Sequence, residues 1–172
     1  EKKNVVRKDV AIMAKISIIG AGSWGVALAS LLYHQGHEII VWSAIGMEIE
    51  QLNLTRQLRT LPDLKLPAEM CFTSDLEQAM TDRDLLVLAV PSIYVRQTAA
   101  RMRPFCKKGQ ILVNVAKGIE DSTLMTLSAV IEQELPMADV AVLSGPSHAE
   151  EVSRGLPTTC VAGARSRLTA EY

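Results

Sequence analysis

The feature that most restricts how this chain can fold is a glycine-rich turn near its start. The turn reads Gly-Ala-Gly-Ser-Trp-Gly from residue 20, which matches the pattern G-x-G-x-x-G. An apolar run over residues 15–20 leads into it. The residues that follow, to residue 35, carry Trp24, Leu28 and Leu31 on one face of a 3.6-residue period. A strand, a glycine turn and a helix in this order are typical of the first βαβ unit of a dinucleotide-binding domain.

Each residue of the turn has a physical role in such a unit. Gly20 permits the tight turn, Gly22 lets the backbone approach a pyrophosphate, and Gly25 lets helix and strand pack closely. The free backbone N–H groups of Ser23 and Trp24 face an anion at the helix N-terminus, where the helix dipole also favours negative charge. We predict that these five residues bind a dinucleotide cofactor, and a purely structural turn is the alternative.

Apolar strand-like runs alternate with helix-period segments along the rest of the chain. Further strands are predicted over residues 37–42, 70–73, 84–90, 111–115, 140–143 and 158–162. Helices are predicted over residues 45–52, from 75, and over 95–102, 124–135 and 166–172. Gly36 is placed to end the first helix in a left-handed conformation, and the prolines of residues 61–67 exclude a helix interior or a central strand there. The pattern predicts an α/β fold, a doubly wound Rossmann-type parallel sheet with helices on both faces.

The composition of the chain argues against several kinds of binding partner. The chain has 172 residues, of which 48% are hydrophobic and 22% charged, with a formal net charge of −1. This net charge gives no overall basic surface that would attract nucleic acid or an anionic membrane. No apolar run reaches the ~20 residues that are needed to span a bilayer. Three cysteines without a Cys-x-x-Cys pair predict buried, reduced thiols in a cytoplasmic protein, and neither they nor the three histidines have metal-ligand spacing.

The domain boundaries follow from where the periodic pattern begins and stops. Residues 13–172 are predicted to form one NAD(P)-binding Rossmann domain. Residues 1–12 are polar and mildly basic, so we expect either a flexible extension or a non-native remnant, with Met13 as a candidate start. The helical pattern at residues 166–172 is cut short, and we expect a further domain beyond it.

The end of the second predicted strand departs from the dinucleotide fingerprint. An Asp or Glu there would hydrogen-bond the adenosine ribose, and a nearby Arg would favour a 2′-phosphate. The chain has Ser43 and Ala44 instead, and Glu48 comes too late and falls on the next helix. The choice between NAD and NADP therefore stays open. NAD is slightly favoured, because no local cation is present to bind the 2′-phosphate of NADP.

Three more loops end at the same edge of the predicted sheet, where ligands bind in such folds. Tyr94 follows the fourth strand and is predicted to lie against the cofactor, with core packing as the alternative. Lys117 follows the fifth strand, where a cation can bind a substrate phosphate or stabilise an alkoxide; a solvated loop lysine is the alternative. Gly145 and Ser147 belong to a Gly-Pro-Ser loop that offers N–H groups and a hydroxyl to an anion, unless the loop is a plain helix cap. We do not expect Ser147 and His148 to form a hydrolase pair, because sequence neighbours rarely have that geometry and no matching acid is identifiable.

Several segments together resemble the bacterial NAD(P)-dependent glycerol-3-phosphate dehydrogenases. They are GAGSWGVALA from residue 20, LPDLKLP from 61, AVPS from 89, AKGIE from 116 and LSGPSHAEEV from 143. The resemblance runs from residue 15 to residue 162 in the expected order, and its last two segments are the most specific. It implies interconversion of dihydroxyacetone phosphate and sn-glycerol 3-phosphate by hydride transfer with NAD or NADP, for glycerophospholipid synthesis.

The resemblance also assigns roles to residues. It implies that Ser23, Trp24, Lys117 and Ala149 contact the cofactor, and that Lys117, Gly145 and Ser147 meet a small-molecule phosphate substrate. The list of expected cofactor-binding residues is Gly20, Gly22, Ser23, Trp24, Gly25, Ser43, Ala44, Tyr94, Lys117 and Ala149. No metal is expected.

Two departures from the family pattern limit the expectation. Family members that prefer NADP commonly have a basic residue after the Trp of the second strand, where this chain has Ala44. The family's catalytic general acid/base lysine lies in a helical C-terminal domain, beyond Tyr172, so no catalytic residue is expected here and the chain alone is expected to be inactive. A homodimer through that domain is compatible with the resemblance. The alternatives are a non-catalytic dinucleotide-sensing module, or another β-hydroxyacid dehydrogenase or ketopantoate-type reductase.

Overall fold

The computed structural model describes residues 13–172, which form one seven-stranded sheet in the order β3-β2-β1-β4-β5-β6-β7. The strands are β1 (Lys15–Ile19), β2 (Glu38–Trp42), β3 (Cys71–Thr73), β4 (Leu85–Leu88), β5 (Ile111–Asn114), β6 (Asp139–Ser144) and β7 (Val161–Ala164). The first six strands pair in parallel, and β7 runs antiparallel to β6. The strand order reverses between β1 and β4, and a crevice at such a point is where doubly wound folds bind ligands.

Within residues 13–172, seven α-helices connect and cover these strands. They are α1 (Ser23–His34), α2 (Gly46–Thr55), α3 (Leu76–Met80), α4 (Val95–Met102), α5 (Leu127–Glu134), α6 (Ala149–Ser153) and α7 (Arg167–Glu171). Gly36, with φ of 92°, follows the end of α1 as predicted. The Asp75 carboxylate accepts hydrogen bonds from the backbone N–H groups of Glu77 and Gln78, which fixes the start of α3.

The core consists of two apolar layers, one on each face of the sheet. Side chains alternate along the strands, so Ile18 faces the layer under α1, α2 and α6, while Ile19 faces the layer under α3, α4 and α5. The helical stripe predicted in α4 is confirmed, since Val95, Ala99 and Met102 are fully buried. The predicted doubly wound Rossmann-type fold with helices on both faces is therefore confirmed.

The structure corrects several local predictions. Leu124 lies outside α5, with φ of 57° and its side chain exposed, because the chain turns from Glu120 to Leu124 before the helix begins. The last strand begins at Val161, three residues after the predicted start at 158, and its antiparallel direction follows from its pairing with β6. Leu31 of α1 is exposed rather than on the buried face, which residues 25–30 supply.

The prediction of buried cysteines is also wrong. Cys71 is exposed, Cys106 and Cys160 are half-buried, and none is in a disulfide within residues 13–172. Partial burial raises the pKa of the Cys106 thiol. The prediction for residues 1–12 lies outside the described part of the chain.

Candidate functional site

The glycine turn is held tightly against two strands. The N–H group of Gly20 donates to the Trp42 carbonyl oxygen at 2.8 Å, which ties the turn to the end of β2. Gly20 has φ of 126°, and a Cβ there would lie 2.7 Å from the carbonyl group of Ala89 after β4. A Cβ at Gly25 would collide with the backbone oxygen of Gly20. Two of the three glycines are therefore required by close backbone contacts.

The start of α1 leaves polar backbone groups available to a ligand. Gly22 precedes the helix in an extended conformation, no side chain caps this end, and a Cβ on Gly22 would meet nothing within 4 Å. The open space in front of Gly22 is where a ligand phosphate could approach the first N–H groups of α1. The Ser23 hydroxyl lies 2.7 Å from the Thr60 hydroxyl, a contact that links the turn to the proline-containing loop.

A cavity of about 370 Å³ opens beside the turn at the carboxyl ends of β1, β4, β5 and β6. Its walls combine the start of α1 with the loops that follow β4, β5 and β6. The lining residues that the sequence predicted are Gly22, Ser23, Trp24, Lys117, Ser147 and Ala149. The fold thus brings residues that are up to 127 positions apart in the chain around one space, from Gly22 to Ala149.

Lys117 spans this cavity from the loop after β5 to the loop after β6. Its Nζ donates to the carbonyl oxygens of Gly145 at 3.0 Å and Ser147 at 3.3 Å. An ammonium group has three N–H donors, so one remains for a ligand. The buried residue Asn114 fixes the start of this loop. Its side-chain amide donates to the carbonyl oxygen of Ala116 and accepts from the N–H group of Ala116.

An ion-pair network that the sequence analysis missed anchors the other end of the Lys117 loop. Arg96 of α4 makes two 2.7 Å hydrogen bonds to the Glu120 carboxylate and one of 2.8 Å to Glu134 of α5. Arg96 and, to a lesser extent, the Thr123 hydroxyl lower the pKa of Glu120 from 4.5 to about 2. The segment AKGIE predicted a functional loop. The ion pair between its Glu120 and Arg96 was not predicted, because Arg96 lies on a helix that is distant in the chain.

A second cavity of about 440 Å³ adjoins the first on the far side of the turn, and Gly22, Ala89, Val90 and Pro91 line both. The predicted residues Gly20, Ser43, Ala44 and Tyr94 lie in its wall. Glu48 and Arg101 line it as well. The sequence offers no cation next to the end of the second strand, but Arg101 of α4, which is distant in the chain, lines this cavity.

Two of the predicted residues line neither cavity. Gly25 lies behind the turn, where it makes room for the Gly20 carbonyl. Gly145 contributes its carbonyl oxygen to Lys117. The Ser147 hydroxyl donates to that same oxygen at 3.4 Å and not to His148, so these neighbours do not form a nucleophile–base pair.

Two further observations concern the part of the chain that the structure describes. Within residues 13–172, no group of three or more His, Cys, Asp or Glu side chains is arranged to hold a metal ion. No helix in that range combines the length and the apolar character needed to cross a membrane.

A doubly wound sheet with its cavities at the strand-order reversal, a G-x-G-x-x-G turn and a lysine that bridges two loops defines a Rossmann-type nucleotide-binding domain. Residues 15–170 match the family model described as NAD-dependent glycerol-3-phosphate dehydrogenase N-terminus. The chain belongs to this family.

Relatives with the same name support the assignment. Glycerol-3-phosphate dehydrogenase [NAD(P)+] of Agathobacter rectalis is 56% identical over 160 residues, which cover 92% of this chain and 48% of the relative. The protein of that name from Fusobacterium nucleatum is 49% identical, over 93% of this chain and 49% of the relative. The chain therefore spans about half the length of the curated relatives it matches.

A solved structure agrees with the fold. The crystal structure of glycerol-3-phosphate dehydrogenase from Coxiella burnetii superimposes with a TM-score of 0.83 at 28% identity. The match covers 92% of this chain and 49% of that chain.

Proposed function

We propose that this chain is the cofactor-binding half of an oxidoreductase that interconverts dihydroxyacetone phosphate and sn-glycerol 3-phosphate with NAD(H) or NADP(H). The observation that carries the proposal is the position of Lys117. Its ammonium group is held between two loops in a cavity that begins at the glycine turn. A cation there serves a substrate that carries both a phosphate dianion and a carbonyl group.

The residues of the turn fit a dinucleotide. A pyrophosphate needs close approach to the backbone and free N–H donors, and Gly22 and the uncapped start of α1 provide both. When bound, the nicotinamide ring supplies or accepts the hydride. The chain's own residues position it: Ser23 and Trp24 bind at the helix start, and Ala149 closes the opposite wall of the first cavity.

The same geometry supports a substrate-binding role for the loop after β6. Lys117 donates to the carbonyl oxygens of Gly145 and Ser147, which leaves its third N–H donor for a substrate oxygen. A substrate oxygen that meets Lys117 is thereby fixed relative to the cofactor without the lysine changing its position. Tyr94, Ser43 and Ala44 are assigned to the adenosine end because they line the second cavity.

The relatives are about twice as long as the match, and we assign the general acid/base lysine and most phosphate ligands to their other half. The proposal includes a cytoplasmic enzyme that serves glycerophospholipid synthesis and a homodimer formed through that half. A net charge of −1 gives no reason to expect nucleic acid as a partner.

Lys117→Ala in the full-length protein tests the proposal. We expect turnover of dihydroxyacetone phosphate to fall on the order of 10²–10³-fold, the effect of losing one stabilising cationic donor, while NADH binding is largely kept. Lys108→Ala is the matched control, because Lys108 is an exposed lysine before β5, at the opposite edge of the sheet. Unchanged turnover in Lys117→Ala would contradict the enzymatic role and favour a dinucleotide-sensing module, and a substrate panel of hydroxyacids and ketopantoate would identify a related reductase.

A further inference from the structure

The second cavity is lined by a carboxylate that the sequence placed on the helix after β2 and not at the cofactor. Glu48 is on α2, six residues after the end of β2. The Ser43 hydroxyl nevertheless donates to Glu48 Oε2 at 2.7 Å, and the same hydroxyl accepts the N–H of Ile45 at 3.1 Å. Ser43 is buried at the end of β2, so its hydrogen bond keeps the Glu48 carboxylate next to the end of that strand. An acidic group at that place is the one that hydrogen-bonds the adenosine ribose in dinucleotide-binding domains.

The same cavity contains a cation with unused donors. The Arg101 guanidinium lies over the Trp42 ring, with Cζ 5.2 Å from the ring centroid. Among residues 13–172 it makes no ion pair, whereas its neighbours on α4 and in the following turn, Arg96 and Arg103, both bind Glu134. Stacking on an aromatic face fixes the plane of a guanidinium and leaves its N–H groups free for a planar or tetrahedral anion.

We propose that Glu48 and Arg101 together determine which cofactor this cavity prefers, and that each serves a different one. Glu48 accepts a hydrogen bond from the ribose hydroxyl of NAD(H), and Arg101 binds the 2′-phosphate of NADP(H). The proposal rests on the function proposed above, because it requires the adenosine end of the cofactor to lie in this cavity. It assigns dual cofactor use to two side chains of opposite charge.

The two charges act on a 2′-phosphate in opposite directions. Glu48 repels the phosphate dianion and Arg101 attracts it, so both cofactors bind and the preference between them is graded. Removing one charge should shift the preference one way, and removing the other should shift it the opposite way. A residue with only a structural role would change the affinity for both cofactors equally.

The test is a set of fluorescence titrations of the 172-residue chain with NADH and with NADPH. Glu48→Gln should weaken NADH and tighten NADPH, and Arg101→Gln should weaken NADPH and leave NADH unchanged. Each preference should shift on the order of tenfold, the effect of one charge-assisted hydrogen bond. Competition by AMP and by adenosine 2′,5′-bisphosphate repeats the comparison with ligands that contain only the adenosine end.

The controls are Glu50→Gln on the same helix and Lys108→Gln, which remove equal charges at exposed positions outside the cavity. Circular dichroism confirms that each variant is folded. A preference that is unchanged in both cavity variants, or that shifts as much in the controls, would overturn the assignment of Glu48 and Arg101 alone. A folded wild-type chain that binds neither cofactor would instead overturn the proposed function of the site.

Discussion

Lys117 Nζ donates a hydrogen bond of 3.0 Å to the carbonyl oxygen of Gly145, which joins the loop after β5 to the loop after β6. The two residues are 28 positions apart in the chain and meet because parallel neighbours β5 and β6 end at the same edge of the sheet. The exposed lysine thereby forms part of the wall of the first cavity.

Substitutions at two glycines of the turn should have different effects, one on the stability of the fold and the other on cofactor binding. Gly25→Ala places a Cβ against the Gly20 carbonyl oxygen, which is backbone and cannot move aside, so the free energy of unfolding should fall by about 1–3 kcal/mol. Gly22→Ala meets nothing within 4 Å and has a conformation that alanine adopts, so unfolding should change by less than about 0.5 kcal/mol. Its methyl group does occupy the approach to a pyrophosphate, and NADH binding should weaken on the order of tenfold, about 1.4 kcal/mol.

Urea unfolding and NADH titration of both variants check this prediction. The account would be contradicted by a Gly22→Ala variant that binds NADH as the wild type does, or by a Gly25→Ala variant of unchanged stability.

Acid should destabilise the chain through Glu120. Its pKa is about 2 in the folded protein and 4.5 as an ordinary glutamate, because Arg96 and Thr123 bind the ionised form. Between pH 4.5 and about 2 the unfolded chain binds a proton that the folded chain does not, so this contribution to stability is complete above pH 4.5 and is lost as the pH falls through the window. Urea midpoints at pH 6 and pH 3.5 should therefore differ more in the wild type than in Glu120→Gln.

Asp121→Asn removes the same charge at the next position, where no ion pair is made among the described residues. This variant should retain the wild-type difference between the two pH values. An equal difference in wild type and Glu120→Gln would show that the Arg96–Glu120 pair contributes nothing to acid stability.

The central strands should dominate the stability of the domain. Leu112 of β5 is completely buried between β4 and β6, and Leu112→Ala should lower the free energy of unfolding by about 2–5 kcal/mol through lost burial and the cavity that remains. Leu54→Ala is the matched control, since Leu54 on α2 is 86% exposed. That control should lie within about 0.5 kcal/mol of the wild type, and similar values for the two variants in urea unfolding would contradict the assigned core.

The sequence predicted the layers of the fold well, because each layer has a local signal. Largely apolar runs such as 84–90 and 111–115 indicate buried strands, and β4 and β5 lie within them. Leu124 was wrongly placed in α5, because its spacing fits a helical period although the backbone turns there with positive φ. The direction of β7 was missed because antiparallel pairing depends on how the chain returns to the sheet, not on residue type.

The site was predictable only where a single loop carries the signal. Lys117 and the Gly-Pro-Ser loop were found because each directly follows a strand that ends at the ligand-binding edge. The roles proposed for Glu48 and Arg101 were not predicted, because they depend on side-chain contacts with Ser43 and Trp42 that residue type alone does not reveal.

Titration of the 172-residue chain with NADH and with NADPH, followed by nicotinamide fluorescence, tests the central claim most directly. The account predicts saturable binding of both cofactors by the folded wild-type chain and weakened binding by Gly22→Ala, because the turn at the start of α1 forms the cofactor site. A chain that circular dichroism shows to be folded, but that binds neither cofactor, would contradict the assignment of this site.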